Sequence, residues 1–222
     1  MEAAVAAARP RSVARWTILG GVLYVIFFVV GTIVLFHGAP DGDAAPAKVI
    51  QWYSDSGHRD RVNTGWVLIT LSVFCLLWFI AALRRAVSMV DAEGILTGVV
   101  GIGGGIYAAL AFASVALNTG IRTMSDDTYQ HRVFPDLIHA AGDVSWVMHA
   151  TGAVGLGAMI IAASLAFMWG GVWPSWAGWV GVVVGFLTLA SVAFFPQFLF
   201  LLWIRIVSIM IFMKSRPAGR VA

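Results

Sequence analysis

Arg205 carries the most chemical information in this chain. It lies inside the apolar run Phe198 to Met213, eight positions from Gln197 and nine from Lys214. At 1.5 Å per residue that is roughly 12 to 13 Å from either end of a helix drawn through the run. A guanidinium keeps its charge at that depth, so it must find acceptors. Asp143 is the acidic residue nearest to an apolar run on the outer side, and His149, six residues further on, falls about 9 Å deeper along the same helix. The expectation is that Arg205 points into a bundle and pairs with Asp143, with His149, Ser145, Ser114, Asn118 and Ser191 completing a polar pocket that opens outward. Such a pocket would bind an anion or another polar ligand. The competing reading is a structural Arg–Asp pair, or an arginine that snorkels to the interface.

A second constellation is Asp136, His139 and Asp143, whose spacings of three and four put them on one helical face. Imidazole and carboxylate are the usual non-thiol ligands of divalent metals, although long wet loops also collect such residues. All five histidines, His37, His58, His131, His139 and His149, fall in the outer half, and a bis-histidine haem would have to pair His149 with His37. The expected cofactor is none, with a divalent metal or a haem as the alternatives. No Ser-His-Asp arrangement, HExxH pattern or paired glutamates occur in the apolar runs, so an enzyme is not expected. The single cysteine, Cys75, cannot form a disulfide framework or a cysteine metal site.

The elements that hold these residues follow from composition. Of 222 residues, 60% are apolar and 11% charged, against about 25% charged in an average soluble domain. The mean hydropathy is +0.88. A soluble enzyme and a nucleic-acid binder are excluded as classes. The expected fold is all-α, a polytopic transmembrane bundle. Spans are expected at about Trp16 to Phe36, Thr64 to Leu83, Ile95 to Leu117, Val144 to Met168, Ala177 to Ala193 and Phe198 to Met213, each near the roughly 20 residues that cross a bilayer. The first run is longer than the 7 to 15 residues of a secretory h-region. It is therefore expected to stay as a helix, with cleavage near Ala44-Ala45-Pro46-Ala47 as the alternative. Pro196, in Phe194-Phe195-Pro196-Gln197, is expected to end the fifth span in a tight turn, a single bent helix being the alternative.

Charge orients the bundle. Residues 1–15 form an N-terminal arm, 16–213 the transmembrane domain and 214–222 a basic tail. These ends and the turn after the second span carry eight basic residues against three acidic ones, whereas the outer loops, about 37–63 and 118–143, carry five basic against eight acidic. By the positive-inside rule both termini are cytoplasmic. Trp169, Trp173, Trp176 and Trp179 mark the inner boundary, and Trp66 and Trp146 the outer one. In the first loop, Val49, Ile50, Trp52 and Tyr53 are expected to form a short helix lying on the outer leaflet. Pro135 is expected to start the helix that becomes the fourth span.

Small residues recur at Gly101, Gly105 and Ala109 in the third span and at Gly181 and Gly185 in the fifth. Small faces let helices approach closely in lipid. The third span is accordingly expected to be central, with Gly105→Leu strongly destabilising.

The stretches Ile50-Gln51-Trp52-Tyr53-Ser54-Asp55-Ser56-Gly57-His58-Arg59, Leu76-Leu77-Trp78-Phe79-Ile80-Ala81-Ala82-Leu83-Arg84 and Pro174-Ser175-Trp176-Ala177-Gly178-Trp179 resemble a group of uncharacterised actinobacterial integral membrane proteins, of the domain-of-unknown-function type. The resemblance implies six helices with two longer outer loops, and no activity. Arg205 departs from the apolar pattern expected in the last helix. The expected role is a non-enzymatic plasma-membrane scaffold or accessory protein that binds lipid, another membrane protein or a second copy of itself, with no nucleic-acid partner. The alternative is a small transporter or ligand-binding protein built on the pocket near Arg205.

Overall fold

The computed structural model describes residues 17–123, 130, 132–190 and 199–214. Among them are seven helices and no strand: α1 (Gly20–Phe36), α2 (Pro46–Ser54), α3 (Ser56–Ser88), α4 (Ile95–Arg122), α5 (Pro135–Trp169), α6 (Ser175–Leu189) and α7 (Leu199–Lys214). The turn expected at residues 194–197 lies outside the described residues, as does Ser191. Three helices, α3, α4 and α5, are long and apolar enough to cross a membrane, and α1, α6 and the run Leu199–Met213 are shorter apolar helices. The described residues form an all-helical bundle.

The helices begin where local chemistry stops the chain from doing anything else. Pro46 opens α2 and Pro135 opens α5, positions where a missing N–H costs nothing. Asp55 caps α3, its carboxylate accepting from the His58 amide at 3.1 Å. Gly94, with φ of +76°, turns the chain into α4. Beside it Asp91 accepts from the Thr97 amide at 2.7 Å and from its hydroxyl at 2.8 Å. These bonds, the amide first, hold the Asp91 carboxyl below its usual 3.8.

The long helices overrun the expected loops. α3 starts at Ser56, eight residues before Thr64, and α4 continues to Arg122, five beyond Leu117. What reads as loop in the sequence is largely helix standing above the spans. The α2 helix forms as expected and docks one face on the bundle, with Val49 and Tyr53 buried beside Leu35, Val62, Ile69 and Ile138, while Trp52 stacks on His58 at 4.3 Å.

The central helix is α5, not α4. Of its most apolar window 67% is buried, against 39% for α3 and 33% for α4. Glycine makes this possible on both of its sides. A Cβ on Gly155 would come within 2.6 Å of the Gly103 carbonyl oxygen on α4, and one on Gly157 within 2.7 Å of the Gly185 carbonyl oxygen on α6. Gly20 and Gly65 do the same between α1 and α3, at 2.6 Å from the Cys75 carbonyl and 2.8 Å from the Leu35 amide. The helices meet backbone against backbone.

The stripe proposed for the third span is therefore corrected. Gly105 and Ala109 are exposed, nothing lies within 4 Å of a Cβ on Gly105, and Gly101 faces the Arg84 side chain. The buried face of α4 is rotated from it and runs through Gly103, Gly104, Tyr107, Ala108 and Ala111. Sequence spacing alone could not choose between them, because both stripes keep the helical period. In the fifth span Gly181 and Gly185 are buried, Gly181 against Ser164 and Gly185 against Ile161 and Gly157.

Gly155→Ala should force α4 and α5 apart and lower stability by at least about 1 to 3 kcal/mol, whereas Gly105→Leu should stay within about 0.5 kcal/mol of the parent. Thermal unfolding of the detergent-solubilised protein checks both, and a larger loss for Gly105→Leu would reverse the packing order given above.

Candidate functional site

A cavity of about 230 Å³ opens at the end of the bundle that carries α2. Five helices meet there. Phe28, Thr32, Leu35 and Phe36 come from the second half of α1, Ile69 from α3, Ser114, Asn118 and Thr119 from the last turns of α4, Gly142, Ser145, Trp146 and His149 from α5, and Phe200 from α7. The walls are aromatic and aliphatic, and the polar groups come almost entirely from α4 and α5.

Those polar groups lie together because of helical period. Ser114, Asn118 and Arg122 are spaced by four on α4, and Ser145 and His149 by four on α5, so each set stacks along one face. The two faces are clasped at Ser114 and Ser145. The Ser114 hydroxyl donates to the Ser145 carbonyl at 2.9 Å, and the Ser145 hydroxyl donates back to the Ser114 carbonyl at 3.0 Å. Both protons are thus committed to backbone oxygens. The pair is a joint between helices and neither serine is an activated nucleophile.

Below the clasp His149 lies face to face with Phe28 at 6.2 Å and edge-on to Tyr107 at 5.4 Å. Tyr107 in turn meets the Tyr24 hydroxyl at 3.0 Å, oxygen to oxygen, in the fully buried floor between α1 and α4. Phe200 closes this floor, 5.8 Å from Tyr107 and 6.5 Å from Phe28. Above the clasp Thr119 is 6% exposed, and its hydroxyl has no hydrogen-bond partner among the described residues. An orphaned hydroxyl costs stability unless something else satisfies it.

The cation at this site is Arg122. Its Nε donates to the Asn118 side-chain oxygen, and its guanidinium lies 5.9 Å from the Phe36 ring centre and 5.4 Å from that of Tyr53. A terminal nitrogen lies 3.9 Å from where a Cβ on Gly142 would be. Asn118, Phe36 and Gly142 all line the cavity, so the guanidinium stands at its rim. Among the described residues no carboxylate pairs with it. The one such approach within 4.0 Å is Asp55 to His58. Asp126 and Asp127, close in sequence, lie outside the described residues.

Four of the residues expected in the pocket share one cavity, and the cation expected there lies elsewhere. Ser145, His149, Ser114 and Asn118 line one cavity. Arg205 does not join them. It is exposed on the arc of α7 shared by Leu202, Ile206 and Ile209, because the helical period sends Phe200, Ile204, Val207 and Ser208 inward instead. Asp143 is exposed as well, one position off the Gly142–Ser145 face. Arg122 was missed because it reads as one of the charges of an outer loop. The signal that finds it is the four-residue spacing from Ser114 through Asn118.

The candidate metal ligands are not gathered. Asp136 and Asp143 are exposed and His139 is half-buried. Among the described residues no three His, Cys, Asp or Glu are placed to hold one ion. His37, the proposed haem partner of His149, is exposed, and its carbonyl accepts from Arg61 at 3.2 Å.

If the serine clasp joins the helices as described, Ser114→Ala and Ser145→Ala should each cost about 0.5 to 1.5 kcal/mol. The double variant should cost less than the two together, because each bond braces the other. A double-mutant cycle on thermal unfolding reads this coupling, and strict additivity would show the two bonds to be independent. The chain matches no family model, no curated protein and no solved structure.

Proposed function

We propose that this chain is a non-enzymatic plasma-membrane protein of six spans, with both termini cytoplasmic, that binds a small amphipathic molecule in the cavity between α1, α4, α5 and α7. The observation that carries the reading is the cavity itself. At about 230 Å³ it exceeds the roughly 150 Å³ apolar void that admits benzene in an engineered protein, so a molecule with several heavy atoms has room. Its walls are predominantly apolar with a few polar groups among them, the usual make-up of a small-molecule site. This supports the ligand-binding alternative over a bare scaffold, with Arg122 in place of Arg205 as its cation. Kinship with the actinobacterial group rests on the three short stretches alone and adds no activity.

Three further features support the membrane setting. Exposed apolar residues run along the outside of α1 (Ile26, Ile33), α3 (Leu71, Phe74), α6 (Val183, Phe186) and α7 (Leu202, Ile206), as lipid contact requires. Trp169, Trp176 and Trp179 are exposed together at one end, and Trp66 and Trp146 at the other. At α1, α6 and α7, helices of 17, 15 and 16 residues reach about 22 to 26 Å, within the mismatch a bilayer accommodates by local thinning.

The topology is tested with single cysteines at Asp55, Asp126 and Ala218 in a Cys75→Ala background, probed on intact cells with an impermeant thiol reagent. Labelling is expected at 55 and 126 and not at 218; the reverse pattern would invert the orientation. Ligand binding is tested by calorimetry with decanol on the protein in a maltoside micelle. Binding is expected for the parent and a loss of at least tenfold for Val115→Phe, since Val115 of α4 also lines the cavity and the larger ring would fill it. Equal heats from both proteins would remove the cavity from the account.

A further inference from the structure

Two observations at the cavity rim go beyond a site for a generic amphipathic molecule. The Arg122 guanidinium is held among Phe36 and Tyr53 with one nitrogen spent on a neutral amide. Among the described residues no carboxylate neutralises it. Its remaining N–H groups have the fork geometry that suits a carboxylate or phosphate oxygen pair. One turn back along α4, Thr119 lines the cavity, and its buried hydroxyl has no hydrogen-bond partner among the described residues. A cation short of an anion and a donor short of an acceptor lie at the same end of the same apolar pocket.

We infer that the cavity takes a single-chain amphiphile with an anionic carboxylate or phosphate head, the head between Arg122 and Thr119 and the chain among Phe28, Leu35, Ile69 and Phe200. This rests on the ligand-binding reading above and adds the charge and the shape. A cavity of about 230 Å³ with its charged group at the rim matches one chain with its head outside the apolar walls better than two chains side by side. An anion satisfies both orphaned groups at once, whereas a neutral alcohol gives the guanidinium no charge. The buried Tyr53 ring covers one side of the guanidinium, and in lower dielectric the attraction grows.

The test uses the full chain in maltoside micelles and compares decanoate, decanol, inorganic phosphate and phosphatidylglycerol by calorimetry. Decanoate is expected to bind at least tenfold more tightly than decanol. Arg122→Gln should remove that preference, a loss of roughly 10- to 100-fold for decanoate, with decanol affinity unchanged. Thr119→Val, which keeps the shape, should weaken decanoate a few-fold and raise the melting temperature of the empty protein, because it deletes an unsatisfied buried hydroxyl. It keeps the inference open to refutation even where Arg122→Gln fails to fold.

Equal affinity of the parent for decanoate and decanol would overturn the anionic head while leaving the cavity reading intact. Failure of both to bind would overturn the cavity reading itself. Inorganic phosphate that competes with decanoate at comparable concentration would make the ligand a free oxyanion. Phosphatidylglycerol that displaces decanoate more strongly would make it a two-chain lipid. Either result overturns the single-chain amphiphile. Asp126→Asn combined with Asp127→Asn is expected to change decanoate affinity by less than about twofold. A tenfold gain would show that a carboxylate of the chain already occupies the arginine fork, and the inference would fall.

Discussion

Everything in this bundle depends on how closely two helix backbones can approach where no water is expelled to drive them together. In lipid, association rests on contact between packed surfaces and on hydrogen bonds between helices. α5 meets that constraint by placing Gly155 against Gly103 on one side and Gly157 against Gly185 on the other. With glycine on both partners the carbonyl oxygens fill the space that a Cβ would take. α5 is thereby clamped between α4 and α6, and its position decides where Ser145 and His149 point.

The cavity is what that close approach leaves at one end. Near the middle of α4 and α5 the backbones touch at Gly103 and Gly155. Towards Arg122 the residues grow larger and more polar, and the two helices are held by the reciprocal serine bonds instead. α1 and α7 add Phe28, Phe36 and Phe200 to the walls of the remaining space. A buried aromatic floor, a hydroxyl clasp and a charged rim therefore follow one another along a single axis. That order suits an occupant with one polar and one apolar end.

Arg205 and Arg122 show how the same residue type reads differently at two depths. In the sequence Arg205 is the anomaly, a charge in the middle of an apolar run, whereas Arg122 is one of several cations in a polar stretch. In the folded chain Arg205 lies on an outward arc from which a long side chain can reach towards the interface. Arg122 is the one folded back over aromatic rings at a cavity rim. The cost of a charge is set by what surrounds its head group, and hydropathy along the chain measures only what surrounds its neighbours.

Composition and local chemistry determined the class of the protein. The apolar runs point to helices, three of them long and apolar enough to cross a membrane, because a helix satisfies its own backbone polar groups where water is absent. Pro135 could be read as a helix start, and the Pro46–Tyr53 segment as a short helix, from the residue types alone. Ser145, His149, Ser114 and Asn118 could be grouped because each pair sits a helical turn apart on its own element. Only the tertiary structure decided which face of each helix turns inward. The stripes Gly101–Gly105 and Gly103–Gly104–Tyr107 have equivalent spacing, and it took the facing carbonyl of Gly155 to distinguish them. The same holds for α7, where Phe200, Ile204 and Val207 took the inner arc and left Arg205 outside. A helix in lipid has no dry and wet side to announce its rotation, so apolar periodicity carries little of that information, and the fit between neighbouring backbones supplies it.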